Sequence, residues 1–135
     1  MEKPSMTPLK ILIVDDDKED SFLWERTLKK RFQGQVAVET CTYGTEALQR
    51  IDSDLGLLLL DWHMPSLDGR EVAQQLRQKG FESKRIIVLS GAKSEDLHER
   101  FPMGDCLAVI QKGDPRQGEI LLDIVAELLT RQSLR

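Results

Sequence analysis

Gly56-Leu57-Leu58-Leu59-Leu60-Asp61, with Pro65 close behind, is the stretch on which the fold of this 135-residue chain turns. Four leucines without alternation fit either a buried helix or a strand covered on both faces. Bounded by Gly56 on one side and by Asp61 and Pro65 on the other, they read as a central strand buried on both sides. Working outward, the pattern repeats. Leu9 to Val14 is a short apolar run ending in Asp15-Asp16-Asp17. Val36 to Cys41 alternates. Arg85 to Leu89 ends at Ser90-Gly91, and Leu107 to Ile110 ends just before Lys112-Gly113.

Helical segments separate these runs. Asp17 suits a helix cap, with Glu19 and Asp20 complementing the dipole of the first turn. That helix is expected to bury Leu23, Thr27, Leu28 and Phe32 and to end near Gly34. Glu46 to Ile51 predicts a short helix with Ala47, Leu48 and Ile51 inward, after a break at Gly44. Met64 to Gly69 predicts a turn, then a helix burying Val72, Leu76 and Ala73. Ser94 to Phe101 allows about two helical turns before Pro102. Gly118 to Arg131 predicts a last helix with Ile120, Leu121, Ile124, Val125, Leu128 and Leu129 on a wide apolar face. Five strands alternating with helices predict an α/β fold, a doubly wound parallel sheet with helices on both faces.

Composition narrows the function. Hydrophobic residues are 40% and charged residues 31% of the chain, which excludes collagen-like, low-complexity and coiled-coil classes. A net charge of −4 without a basic stripe argues against direct nucleic-acid or anionic-membrane binding. No apolar run approaches the ~20 residues needed to span a bilayer. Met1 to Pro8 has no apolar core and reads as a loose tail. With Cys41 and Cys106 as the only cysteines, the reading is a reduced cytoplasmic protein.

In doubly wound sheets ligands sit beyond the carboxyl ends of the strands. Those ends carry Asp15, Asp16 and Asp17, then Asp61, Ser90 and Lys112. Clustered carboxylates repel one another unless a cation joins them. An oxygen-only donor set suits a hard cation, and Mg²⁺ is the expected one. With metal absorbing charge, one carboxylate can attack phosphorus. Lys112 could neutralise phosphoryl oxygens and Ser90 could hydrogen-bond one, which is the positioning that phosphoryl transfer needs.

The pieces Ile11-Leu12-Ile13-Val14-Asp15-Asp16, Leu60-Asp61-Trp62-His63-Met64-Pro65-Ser66-Leu67-Asp68-Gly69, Val88-Leu89-Ser90-Gly91-Ala92 and Ile110-Gln111-Lys112 stand in order. On these the chain resembles the receiver domain of two-component response regulators over roughly residues 9 to 131. Tyr43-Gly44-Thr45-Glu46-Ala47-Leu48 fits the same family. The resemblance implies a flavodoxin-like sheet of order 2-1-3-4-5, with tails at 1–8 and 132–135. It implies Asp61 as phosphoacceptor, with Asp16 a direct Mg²⁺ ligand and Asp15 acting mostly through metal-bound water. The His63 backbone carbonyl would be a further ligand. Ser90 would bind the phosphoryl group and Lys112 would pair with its oxygens. The implied donor is a phosphohistidine on a sensor histidine kinase or a histidine phosphotransfer protein. Output would pass by contact with a downstream protein, or through a homodimer. Both would use the face of the helix expected over 94–101, the fifth strand and the last helix.

Each residue also has a plainer reading. Asp17 reads as a cap and Asp68 as a turn residue. His63 reads as an exposed side chain that tunes water access to an acyl phosphate, not as a base. Trp62 lines the pocket rim, and Gly91 and small Ala92 leave the approach open. Ser90-Gly91 is also ordinary turn chemistry. His98 reads as a solvated helix residue. In the implied strand order Cys41 and Cys106 lie at opposite sheet edges about 19 Å apart, beyond disulfide reach.

Two positions depart from the family. Val109 stands where many receivers carry an aromatic residue, and Gly113 follows Lys112 where proline is frequent. The loop after Lys112 must then use glycine's permissive backbone. Three other functions compete. A haloacid-dehalogenase-like phosphatase would need a second Asp where this chain has His63. Flavin binding would place a phosphate against three aspartates. A pseudo-receiver scaffold that never phosphorylates is opposed by the intact Asp15, Asp16, Asp61 and Lys112. With about 23 residues after Lys112, the chain holds no output domain. It reads as a single-domain receiver, or as the receiver piece of a longer regulator.

Overall fold

A strand buried on both faces needs apolar side chains at every position, and the inner strands of this sheet have them. In the computed structural model, which describes residues 7–52, 54–61, 69–91 and 106–133, the order is β1 (Leu9–Val14), α1 (Lys18–Arg31), β2 (Val36–Cys41), α2 (Gly44–Arg50), β3 (Leu55–Asp61), α3 (Gly69–Gln78), a 3₁₀ turn (Ser83–Arg85), β4 (Ile86–Ser90), β5 (Ala108–Gln111) and α4 (Pro115–Ser133). The five strands form one parallel sheet of order β2-β1-β3-β4-β5.

Successive side chains of each inner strand enter opposite layers. Leu12 and Val14 of β1, Leu58 and Leu60 of β3, and Ile86 and Val88 of β4 pack with Ala47, Val72 and Leu76 under α2 and α3. Ile11, Ile13, Leu57, Leu59, Ile87 and Leu89 pack with Leu28, Phe32, Leu121 and Val125 under α1 and α4. The four-leucine run is therefore split between two cores. Gly56 makes this register possible. It lies between the pairs Lys10–Leu55 and Ile11–Leu57, where the ladder slips, and a Cβ there would collide with Leu9 Cδ1.

The structure corrects the predicted faces of two helices. Leu23 and Thr27 of α1 face solvent, and the buried row runs Ser21, Trp24, Leu28, Phe32. Both rows follow helical steps of three or four residues, but the second carries the indole, whose tip lies against Gly118 of α4. In α4 Ile120 is half exposed while Leu122 is buried beside Leu121. This helix starts at Pro115, three residues before the predicted start. Asp114 accepts the Arg116 amide on Oδ1 at 2.9 Å and the Gly118 amide on its carbonyl at 3.0 Å, and Pro115 lacks the N–H that its position would leave unused. It also runs on to Ser133, past the expected end at Arg131.

Other boundaries shift less. α2 begins at Gly44 rather than Glu46, so the glycine opens the helix instead of merely breaking the strand. β5 runs one residue later than predicted, leaving Leu107 exposed. Cys41 and Cys106 lie at opposite sheet edges and form no disulfide with each other, as expected. Burial, followed by the charge of Glu46, pushes the Cys41 thiol up to about 11. That keeps it protonated and unreactive at neutral pH. The helix expected over 94–101, with His98, and the turn up to Asp68 lie outside the described residues, as does the side chain of Ala73. Among the described residues no helix is long and apolar enough to cross a membrane.

Candidate functional site

Parallel pairing brings the sequence-distant strand ends to one rim. Val14 pairs with Leu60, so Asp15 and Asp61 leave β1 and β3 side by side. Asp61 pairs with Leu89, so Ser90 stands one residue beyond, and Ser90 pairs with Gln111, just before Lys112. Asp15, Asp61 and Ser90 are buried at this rim.

The turn from β1 to α1 is held by its own aspartates. The Asp15 amide extends the ladder by one bond to the Cys41 carbonyl, at 3.1 Å. Asp15 Oδ1 accepts the Asp17 amide at 2.9 Å. Asp17 Oδ1 in turn accepts the amides of Glu19 and Asp20 at 2.9 and 3.2 Å, the cap expected of it. This leaves Asp15 Oδ2 facing the pocket, where Lys112 Nζ donates to it at 2.7 Å.

Lys112 reaches two more carboxylates, Asp20 Oδ2 at 3.2 Å and Asp61 Oδ2 at 3.5 Å. Burial alone would lower the pKa of this ammonium. The hydrogen bond to Asp15 and the charges of Asp61, Asp15 and Asp20 outweigh it and hold the pKa above the ordinary lysine value. Its backbone is pinned as well, the Lys112 amide donating to the Ser90 carbonyl at 2.7 Å.

Carboxylate oxygens of Asp15, Asp16 and Asp61 lie within 4.8 Å of one another. With Asp20, four carboxylates share this rim with one ammonium, which reaches three of them, an excess of negative charge that favours a bound cation. Two of the three donors are buried and Asp16 is open to solvent, so the pocket is accessible from one side. All are hard oxygen donors, and they fit a divalent cation that keeps part of its water shell. Among the described residues no other group of three such side chains converges.

A family model for the response regulator receiver domain matches residues 11–122. The chain belongs to the response regulator receiver family.

Curated relatives agree with this. The receiver is 42% identical to response regulator MprA of Mycobacterium ulcerans over 127 residues, covering 93% of this chain and 52% of MprA. It is 33% identical to transcriptional regulatory protein ResD of Bacillus subtilis over 127 residues, covering 92% of this chain and 49% of ResD. The chain thus spans about half the length of these two relatives. Among solved structures it is similar to response regulator protein TrrA of Thermotoga maritima, crystallised in complex with Mg²⁺ and BeF. The TM-score is 0.71 and the identity 28%, covering 89% of this chain and 98% of that one. The protein is a receiver domain of the two-component kind, a signalling module rather than an ordinary enzyme.

The structure brings together Asp15, Asp16, Asp61, Ser90 and Lys112 of the predicted site and puts Gly91 beside them at the end of β4. Trp62, His63 and Ala92 lie outside the described residues. Asp20 was assigned only to the helix dipole, yet it touches Lys112. Its place in the first turn of α1 carries no local signal of that contact, which depends on a lysine far along the chain. Val109, in the aromatic position, is a partly buried residue packed on the α2–α3 core.

Gly113 takes a φ of +82°, so glycine's freedom replaces the missing proline. A Cβ there would meet no atom within 4 Å. Gly113→Ala is therefore expected to cost about 1–2 kcal/mol from backbone strain alone, measured by urea unfolding. A cost near zero would contradict the left-handed conformation.

Proposed function

We propose that Asp61 accepts a phosphoryl group from a phosphohistidine on a sensor histidine kinase or histidine phosphotransfer protein in the cytoplasm. The observation that carries this reading is the convergence of Asp15, Asp16 and Asp61 beside Lys112 at the rim of the sheet. An Asp61 carboxylate oxygen bonds to phosphorus as the donor's N–P bond breaks, giving an acyl phosphate and free histidine. Water later attacks phosphorus, releasing inorganic phosphate and restoring the carboxylate. The receiver supplies the residues for both steps and is in that sense its own catalyst.

Asp15, Asp16 and Asp61 would hold Mg²⁺, with the His63 carbonyl as a further ligand. When bound, the ion would offset charge on the carboxylates and on the transferring phosphoryl oxygens. Lys112 pairs with one of those oxygens and Ser90 hydrogen-bonds another. Trp62, His63, Gly91 and Ala92 set how water reaches the acyl phosphate. The signal then passes by protein contact, or by pairing of two receivers, through the face that includes β5 and α4.

Intact mass after incubation with Mg²⁺ and a small phosphodonor tests this reading. The expected result is a Mg²⁺-dependent gain of about 80 Da, labile as an acyl phosphate is. Asp16→Ala is expected to raise the Mg²⁺ requirement at least tenfold, since even indirect partners of a metal site are worth about 10–100-fold. An unchanged requirement would remove Asp16 from the ligand set.

A further inference from the structure

Lys112 has three N–H donors, and three carboxylates already face them. The distances rank its partners: Asp15 at 2.7 Å, Asp20 at 3.2 Å and Asp61 at 3.5 Å. The proposed acceptor is thus the farthest of the three. A phosphoryl group on Asp61 needs this ammonium closer than the 3.5 Å it now keeps from Asp61, so its hold on Asp15 or on Asp20 must loosen.

Asp15 cannot yield cheaply. It is wholly buried, and without Lys112 it would hold an uncompensated charge. Asp20 is in a different position. Its side chain is 37% exposed at the rim, so water can take over when the ammonium leaves. It is also fixed in place, because its amide is tied to the cap at Asp17 Oδ1.

We infer that Asp20 is a positioning residue that draws Lys112 toward the rim and competes with the phosphoryl group for it, thereby lowering the receiver's affinity for phosphorylation. This rests on the phosphoryl-site reading above and names a regulator of that site. Asp20 acts through Lys112 and needs no contact with the reacting atoms.

The test uses fluoroberyllate, a non-covalent stand-in for the phosphoryl group, titrated by ¹⁹F NMR at saturating Mg²⁺. Saturation removes any effect of Asp20 on metal affinity. Asp20→Asn keeps the side-chain shape and removes the charge, and is expected to bind fluoroberyllate about fivefold more tightly, within the range for directly coupled side chains. Asp20→Glu keeps the charge and is expected to remain close to the parent. With Lys112→Met in place, adding Asp20→Asn should change affinity by less than about twofold.

Weaker or unchanged binding by Asp20→Asn would overturn the proposal. So would an equal gain without Lys112, which would mean plain repulsion between Asp20 and the anion. Lys112→Gln takes the place of Lys112→Met if the latter fails to fold. Failure of every variant and of the parent to bind fluoroberyllate would overturn the phosphoryl-site reading and this proposal together.

Discussion

Asp61→Asn is expected to abolish the phosphorylation-dependent mass gain and, at the same time, to make the receiver more stable. Asp61 is buried with its oxygens close to those of Asp15 and Asp16, and it is the farthest of the three carboxylates that Lys112 reaches. The expected gain requires repulsion from these like charges to outweigh the attraction to Lys112. Asparagine removes the charge and retains an oxygen that can accept from Lys112. A gain of about 1–2 kcal/mol, within the range for directly coupled side chains, is expected in urea unfolding with a chelator present. Mg²⁺ should narrow the gap, because a cation that binds the folded parent stabilises it. A less stable variant would mean that the Lys112 attraction dominates.

Lys112→Met should move stability the other way. It leaves Asp15, which is wholly buried, without its 2.7 Å partner. Breaking a buried pair by removing one member costs about 3–5 kcal/mol, and about 3 kcal/mol is expected here because Asp20 and Lys112 are partly wetted. The pH dependence has a definite sign. Lys112 is held above the ordinary lysine pKa in the folded protein, so folding favours its protonated form. That contribution is complete below the unfolded value of about 10.4 and is lost as pH rises through the folded one. The difference between parent and variant should therefore shrink as pH rises into the strongly alkaline range, and separately in acid, where the carboxylates that Lys112 pairs with become protonated. A gap that closes as pH rises from 7 to about 9, roughly a unit below the unfolded lysine value, would contradict the pairing.

Strand positions were legible because burial on both faces leaves a continuous apolar run, and each run ends at a polar residue. Asp15, Asp61, Ser90 and Lys112 could be placed at one rim from that alone. The helix faces were harder. In α1 the rows Leu23–Thr27 and Trp24–Leu28 have the same period, and only packing of the indole against Gly118 separates them. The start of α4 is written in Asp114-Pro115, a cap followed by a proline at the first helical position. Asp20 was missed for a different reason. Its role depends on the phase of α1 relative to a lysine at the far end of the chain, and local propensity carries no such information.

The most direct test of the account is the identity of the acceptor. The phosphorylated receiver would be reduced with borohydride, which converts an aspartyl phosphate to homoserine, then digested and sequenced by mass spectrometry. The account predicts homoserine at position 61 only, and none when Mg²⁺ is withheld. Homoserine at Asp15, Asp16 or Asp20 with Asp61 intact would contradict it.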